Sequence, residues 1–359
     1  MTKIPDFELN NIGEGEIEIT GELPVADFEL YRKKALSNLG KDLKLDGFRP
    51  GHVPPEVLAS KISEEQILGE MAELAISDIY LTIITEKKIM AIGRPNVTIT
   101  KLAKDNPLGF KIKTALMPEL EIGDYKGIAK KINSEPEEEI EIKDEEVATV
   151  LEDIRKSRAH AEHAHHQHKE GEECDCATSE PSAEAGQEIE LNDEFAKSLG
   201  QFQTLEELKT KIKENLELEK KQKSKDKKRV AIISDIIKNS KLVIAPLLIE
   251  AEKDKMMAEM ESQIGYMGLK FEDYLTHLKK TREELRTTWS EPARERVAFG
   301  LILSKIADLE KIAPTDEELK NELDYLKVQY KDIDEERLRS YATGLINNEK
   351  VFKLLEETK

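Results

Sequence analysis

Apolar and polar residues alternate in three stretches near the start of the chain. In "EGEIEITGELP", Ile17 and Ile19 alternate with acids, and "NVTIT" and "FKIKTAL" return to the same two-residue period, which predicts three strands before residue 118. Between the first and second strands lie two helical patterns. One is "VADFELYRKKALSNLGKDL"; the other opens with the capping box Ser63 to Gln66 and places Leu68, Ala72, Ala75 and Ile79 on one face. The order strand, helix, helix, strand, strand predicts an α+β domain over residues 1–117, a three-stranded antiparallel sheet with two helices. The helices are joined by "KLDGFRPGHVPP", where Gly47, Pro50, Gly51, Pro54 and Pro55 forbid helix and force a projecting turn.

After residue 200 every pattern is helical, so residues 191–359 are expected to form a mostly α-helical, elongated domain. Thr204 with Glu207, Thr281 with Glu284, and Thr315 with Glu318 are capping boxes. Leu205, Leu208, Ile212 and Leu216 follow the first of them. Leu319, Leu323, Leu326 and Tyr330 form one later stripe, and Leu338, Tyr341, Leu345, Phe352 and Leu355 another. Pro246 starts a helix at its first turn, and Gly265 and Gly268 end it. Residues 118–158 connect the two parts and include the helical "DEEVATVLEDIRKSRA". Residues 159–190 contain almost no apolar side chains and are expected to be a flexible linker, because burial there cannot offset the entropy of ordering.

Composition sharpens this division. The chain of 359 residues is 36% charged against roughly 25% for an average soluble domain, and only 5% aromatic, so its apolar groups are spread along amphipathic helices. The net charge of −19 is uneven: −3 over residues 1–117, −14 over 118–190 and −2 over 191–359. Residues 30–61 hold seven Lys or Arg against three acids, a local excess an anionic partner can use. No apolar window approaches the length of a membrane span, and "MTKIPDFELN" has no apolar core of an export signal, so a cytoplasmic protein without membrane partners is expected.

The motifs of nucleotide hydrolysis, dinucleotide binding, zincin proteolysis and serine hydrolysis are all missing from the sequence. Two features remain. "HAEHAHHQHKEGEECDC" gathers His160, His163, His165, His166, His168, Cys174 and Cys176, donors that suit weak zinc, nickel or copper binding. They trail into glycine and acids without the fixed spacing of a structural site, so a polar linker is the favoured reading and no cofactor is required. In "GFRPGHVP", Phe48 and Arg49 set an apolar anchor beside a planar donor fork between two glycines, as at interface hot spots and phosphate or carboxylate contacts. The plain alternative is a loop whose Phe48 folds back over a core.

"LDGFRPGHVPPEVL" (45–58) resembles the ribosome-docking signature of bacterial trigger factors, and "IGRPNVTI", "PELEIGDYKGI" and "EFAKSLGQFQTLEELKTKIKENLE" resemble later parts of the same chaperone family, in the family's order. The resemblance implies docking at the polypeptide exit of the large ribosomal subunit through Gly47, Phe48, Arg49, Pro50, Gly51 and His52. It also implies a helical cradle that holds unfolded or nascent polypeptides without ATP, and leaves open a homodimer of the free protein. Pro50 and His52 stand where the family often has lysine. With an ordinary pKa of about 6.5, His52 is mostly neutral in the cytoplasm, so the tip is less cationic than the usual pattern. Where the family usually inserts an FKBP-type prolyl isomerase, this chain has about thirty low-complexity residues, which implies no isomerase activity and no enzyme. Met256, Met257, Met260, Ile264, Tyr266 and Met267 are the expected client contacts, with methionine's flexible thioether adapting to varied segments. Two alternatives stand beside this reading: a metal-binding protein using the His/Cys tract, and a holdase that does not touch the ribosome.

Overall fold

The computed structural model describes residues 6–41, 55–136, 140–164, 190–200, 202–329 and 334–358. In chain order the elements begin with strands β1 (Phe7–Gly13) and β2 (Glu16–Leu23), helices α1 (Val25–Glu29), α2 (Arg32–Leu39), α3 (Pro55–Lys61) and α4 (Glu64–Glu86), and strands β3 (Ala91–Lys101), β4 (Leu108–Leu116) and β5 (Leu120–Glu121). Helices α5 (Tyr125–Asn133), α6 (Asp144–Ala164), α7 (Asp193–Ser198) and α8 (Leu205–Lys238) follow, then strand β6 (Lys241–Leu242). The chain closes with α9 (Pro246–Tyr266), α10 (Phe271–Leu278), α11 (Arg282–Thr288), α12 (Ser290–Leu309), α13 (Asp316–Gln329) and α14 (Glu335–Glu357). They fall into two compact units, one of Met1–Tyr125 with Ile233–Leu354, the other of Lys126–Ile232 with Leu355–Lys359. The units part at other places than the expected boundaries at 117, 158 and 190, because long helical segments return to pack on elements far away in sequence.

In the first unit the α+β part is as expected in class, but its antiparallel sheet has four strands, in the order β1-β2-β4-β3. The unexpected strand is β1, an edge strand whose residues are almost all exposed, so no alternation of burial marks it. It joins β2 through a turn with Gly13, Glu14 and Gly15 all at positive φ. Ile17, Ile19 and Leu23 of β2 and Leu108, Phe110 and Ile112 of β4 line one face of the sheet. Against it lies α4, whose N-terminus has the capping box Ser63–Gln66 and whose Leu68, Ala72, Ala75 and Ile79 are buried as expected. The predicted first helix forms as two short ones, and the pieces together bury Phe28, Tyr31, Ala35 and Leu36 on the same core. On this face Tyr80 and the buried Thr114 share a hydrogen bond of 2.8 Å, which satisfies the hydroxyl that β4 buries.

The opposite face of the sheet is covered at one end by α9. Ala115 and its register partner Ile92 join Ile244, Ala245, Leu248, Ile249, Ala293, Ala298 and Leu301 in a second core. Beyond it, α9 pairs with α10 and α11 around Met257, Ile264, Phe271, Leu275 and Leu285. Arg286 of α11 ties this group to α9 through Glu250 (2.7 Å) and Asp254. Arg282 lies over the Phe271 ring at 4.8 Å. The helix α9 begins with Pro246 at its first turn, as expected. It ends in a Schellman motif, in which Leu269 N–H donates to Ile264 C=O (3.2 Å) and Gly268 N–H, at φ +76°, to Gly265 C=O (3.0 Å). Helices α13 and α14 form a hairpin around Leu319, Leu326, Leu338 and Ala342.

The second unit is helical. Val147 and Leu151 of α6, Phe195 and Ala196 of α7, and Leu208 and Ile212 of α8 share one core, so segments on either side of residues 165–189 close on each other. Lys220 of α8 reaches Glu146 of α6 at 2.8 Å. The end of the chain is held in the same unit: the Asn133 amide donates to the carbonyls of Leu355 (2.8 Å) and Thr358 (2.9 Å), and Glu356 receives Arg229 at 2.5 Å.

The α13–α14 hairpin carries a pH-sensitive fastening. Glu318 accepts from Lys350 of α14 at 2.6 Å and from the Thr315 backbone N–H at 2.7 Å, and the lysine first and the cap second bring its carboxyl down to about 2. A depressed carboxylate stabilises the folded state above its unfolded pKa and loses that stabilisation as pH falls toward the folded value. Glu318→Gln should therefore lower the melting temperature at pH 7, and the gap from the parent should shrink as pH is lowered from about 4.5 toward 2. A gap unchanged across that range in calorimetric melts would rule out the fastening.

Candidate docking loop and client-binding surfaces

The proposed tip belongs to the segment between α2 and α3, and Gly47, Phe48, Arg49, Pro50, Gly51 and His52 lie outside the described residues. Its two feet are described and are held together. A Cβ on Gly40 would stand 2.6 Å from Leu58 Cδ1 and 3.1 Å from the Leu36 carbonyl oxygen, so glycine here leaves room for the Leu58 side chain where the end of α2 meets α3. Leu58 is itself buried. Arg32 of α2 pairs with Glu64 of α4 at 2.6 Å, and Asn38 donates to Glu70 at 2.9 Å. The hydrogen bond between them raises the Arg32 pKa and lowers that of Glu64, so the pair is ionised throughout the physiological range. The described residues on either side of 42–54 are thus held at one place on the first unit. Lys33, Lys34, Lys41 and Lys61 are exposed around that place, which keeps the local positive excess read from the sequence on the surface.

The six expected client contacts divide by burial. Met257 and Ile264 are core residues, 7% and 3% exposed, packed on Phe271, Leu275 and Leu285, and so are not available to a client. The helical period that aligned them with their neighbours is the period that turns them toward α10 and α11. Met260 packs half-buried on the same cluster and Met256 on the core beneath the sheet. Tyr266 and Met267 remain, 97% and 63% exposed, at the Schellman turn that ends α9. Leu269 beyond the turn and Leu278 at the end of α10 are exposed beside them in sequence. A second apolar set was missed in that role: Tyr325 and Val328 of α13, and Tyr341 and Leu345 of α14, all exposed. Tyr341 and Leu345 share by spacing the stripe of Leu338, yet the hairpin seals with Leu338, Ala342 and Ile346 and leaves those two exposed. The clue was the two-sided character of both helices, with apolar residues at i+3 and i+4 beyond what one seam can bury.

His160 and His163 fall on the last turns of α6, while His165, His166, His168, Cys174 and Cys176 lie outside the described residues. Among the described residues no group of three or more His, Cys, Asp or Glu side chains is arranged to hold a metal ion. No helix among them is long and apolar enough to cross a membrane.

Two family models match in succession. "Bacterial trigger factor protein (TF)" covers residues 6–154, and "Bacterial trigger factor protein (TF) C-terminus" covers residues 204–357. The chain belongs to the trigger factor family. Among its relatives, the trigger factor of Caldicellulosiruptor bescii is 26% identical over 431 aligned positions, spanning 99% of this chain and 97% of the relative. That of Clostridium tetani is 22% identical over 424 positions, spanning 96% of each. A solved structure titled "Promiscuous Substrate Recognition in Folding and Assembly Activities of the Trigger Factor Chaperone" aligns over 98% of this chain and 100% of that one, at 18% identity and a TM-score of 0.44. The first family model includes residues 42–54 and the described residues on either side of them; the second includes both exposed apolar sets.

The feet of the loop give a direct test. Gly40→Ala should cost about 1–3 kcal/mol, the usual penalty of overpacking a filled site, read as a lower melting temperature with Leu58 displaced. A variant that melts with the parent would show that the approach of α2 to α3 is not what fixes the loop.

Proposed function

We propose that this chain is an ATP-independent chaperone of the cytoplasm that docks on the large ribosomal subunit at the polypeptide exit and holds nascent or unfolded polypeptides. The observation that carries the reading is the succession of the two trigger factor models over residues 6–154 and 204–357. Docking is assigned to the tip Gly47–His52, with Phe48 as apolar anchor and Arg49 as donor fork, because these are the residues that match the family's signature. The pinned feet and the exposed lysines around them support it: a fixed base reduces the ordering cost of binding, and the lysines favour an anionic surface. Clients are assigned to two sets, Tyr266, Met267, Leu269 and Leu278, and Tyr325, Val328, Tyr341 and Leu345, exposed apolar groups that suit weak contact with varied segments.

The same reading assigns no prolyl-isomerase activity. Only residues 155–203 separate the two matched segments. The alignment with the Caldicellulosiruptor bescii relative runs to 431 positions against a chain of 359 residues, so at least 72 positions have no counterpart here. What remains between the segments holds Phe195 and Phe202 as its aromatic residues, and both pack in or on the core of the second unit instead of lining a pocket.

Phe48→Ala with Arg49→Ala should abolish co-sedimentation with ribosomes while leaving the melting temperature unchanged; undiminished co-sedimentation would remove the docking assignment. In a protease-coupled proline-peptide assay the parent protein should not accelerate an isomerisation that takes roughly tens to hundreds of seconds unaided. Catalysis comparable with isomerase-bearing family members would overturn the second assignment.

A further inference from the structure

A separate feature lies on α8, away from the docking loop in sequence. Residues 220–229 carry seven Lys or Arg against one acid, in a chain whose net charge is −19. Their arrangement matters more than their number. At 100° per residue, Lys209, Lys213, Lys220, Lys223 and Lys227 fall within about 40° of one line along the helix, and no carboxylate of α8 falls in that band. The acids Glu206, Glu217, Glu219 and Asp226 lie outside it.

Lys209, Lys213, Lys223 and Lys227 are exposed, whereas Lys220 is half-buried and committed to Glu146 at 2.8 Å and to the Glu141 carbonyl at 2.9 Å. Lys223 has only an exposed i,i+4 partner, Glu219, a pairing worth a few tenths of a kcal/mol in general. Lys209, Lys213 and Lys227 make no salt bridge among the described residues, although Lys213 lies near enough to Glu217 to help lower its pKa. The four exposed lysines form two i,i+4 pairs, and from Lys209 to Lys227 the rigid helix extends about 27 Å at 1.5 Å per residue.

We infer that this stripe is a contact for the phosphate backbone of RNA. Ammonium groups on flexible stems, repeated along a straight rod, suit a line of phosphates, and each neutralised phosphate gains by releasing condensed counterions. The band holds no aromatic side chain on which a base could stack, and its large apolar members Leu205 and Leu216 turn into the core with α6 and α7, leaving only Ala231 as an exposed apolar residue. The contact is therefore to backbone and not to sequence. The lack of a large exposed apolar side chain in the band, with Leu218 and Val230 of α8 lying outside it, disfavours a lipid surface, which needs an apolar face to bury, and a protein hot spot. The inference does not depend on docking through Phe48 and Arg49.

The test uses the full chain with Phe48→Ala and Arg49→Ala, so that the tip contributes nothing, and a fluorescein-labelled 20-nucleotide RNA of mixed sequence followed by anisotropy. With four phosphates neutralised, affinity should fall about 50-fold between 50 and 200 mM salt. Replacing Lys209, Lys213, Lys223 and Lys227 by Gln should remove most binding and flatten that dependence; replacing the same four by Arg should retain both. Binding by the Gln variant equal to its parent, or loss in the Arg variant, would overturn the inference. So would polyglutamate or phosphatidylserine vesicles captured as tightly as the RNA and lost in the Gln variant, since the stripe would then serve an acidic protein or a membrane.

Discussion

The sheet and the start of α9 meet so closely in the first unit that the strand must leave room for the Leu248 side chain. A Cβ at Gly93 would stand 2.8 Å from Leu248 Cδ2, and Gly93 already sits at φ +75°, so position 93 admits glycine alone without strain. Beside it Glu16 of β2 accepts from the Leu247 backbone N–H at 2.6 Å, which satisfies one of the amides a helix N-terminus leaves unpaired. Ala115 and Ala245 are small enough to let the surfaces meet. Residues over a hundred positions apart are thereby held together.

From this seam outward, function follows from what packing leaves uncovered. The helix α9 gives Leu248 and Ile249 to the sheet and Met257 and Ile264 to α10 and α11, and has nothing left to cover Tyr266 and Met267. In α13 and α14 one seam takes Leu319, Leu326, Leu338 and Ala342, and the remaining apolar residues stay in water. Exposing them has a solubility cost, which the 36% charged composition offsets. Arg286 and Glu250 show the same charged groups at work structurally: two carboxylates raise the arginine's pKa, and Lys253 together with that arginine lowers the pKa of Glu250.

Local signals were legible in the sequence and long-range ones were not. The boxes Ser63–Gln66, Thr281–Glu284 and Thr315–Glu318 all form, because each is complete within four residues. Thr204 caps α8, but Glu207 turns to the Gln203 amide instead of that of Thr204. The strand β1 escaped notice because an edge strand buries little, although the turn Gly13–Glu14–Gly15 before an alternating run was a hairpin signal. The burial of Met257 and Ile264 could not be read from their own helix, since the side chains that cover them come from α10 and α11. The candidate docking residues rest on resemblance alone, while the contact of Gly40 with Leu58 beside them is one that no periodicity encodes.

The central claim is that the exposed apolar sets hold nascent chains at the ribosome. It is tested most directly by photo-cross-linking residues placed at Tyr266 and Val328, with the buried position Ile302 as control, on ribosomes stalled with an apolar nascent segment outside the exit. Cross-links to the nascent chain from positions 266 and 328, and none from 302, are the predicted result. Equal yields from all three positions, or none from 266 and 328 on ribosomes that the protein demonstrably occupies, would contradict it.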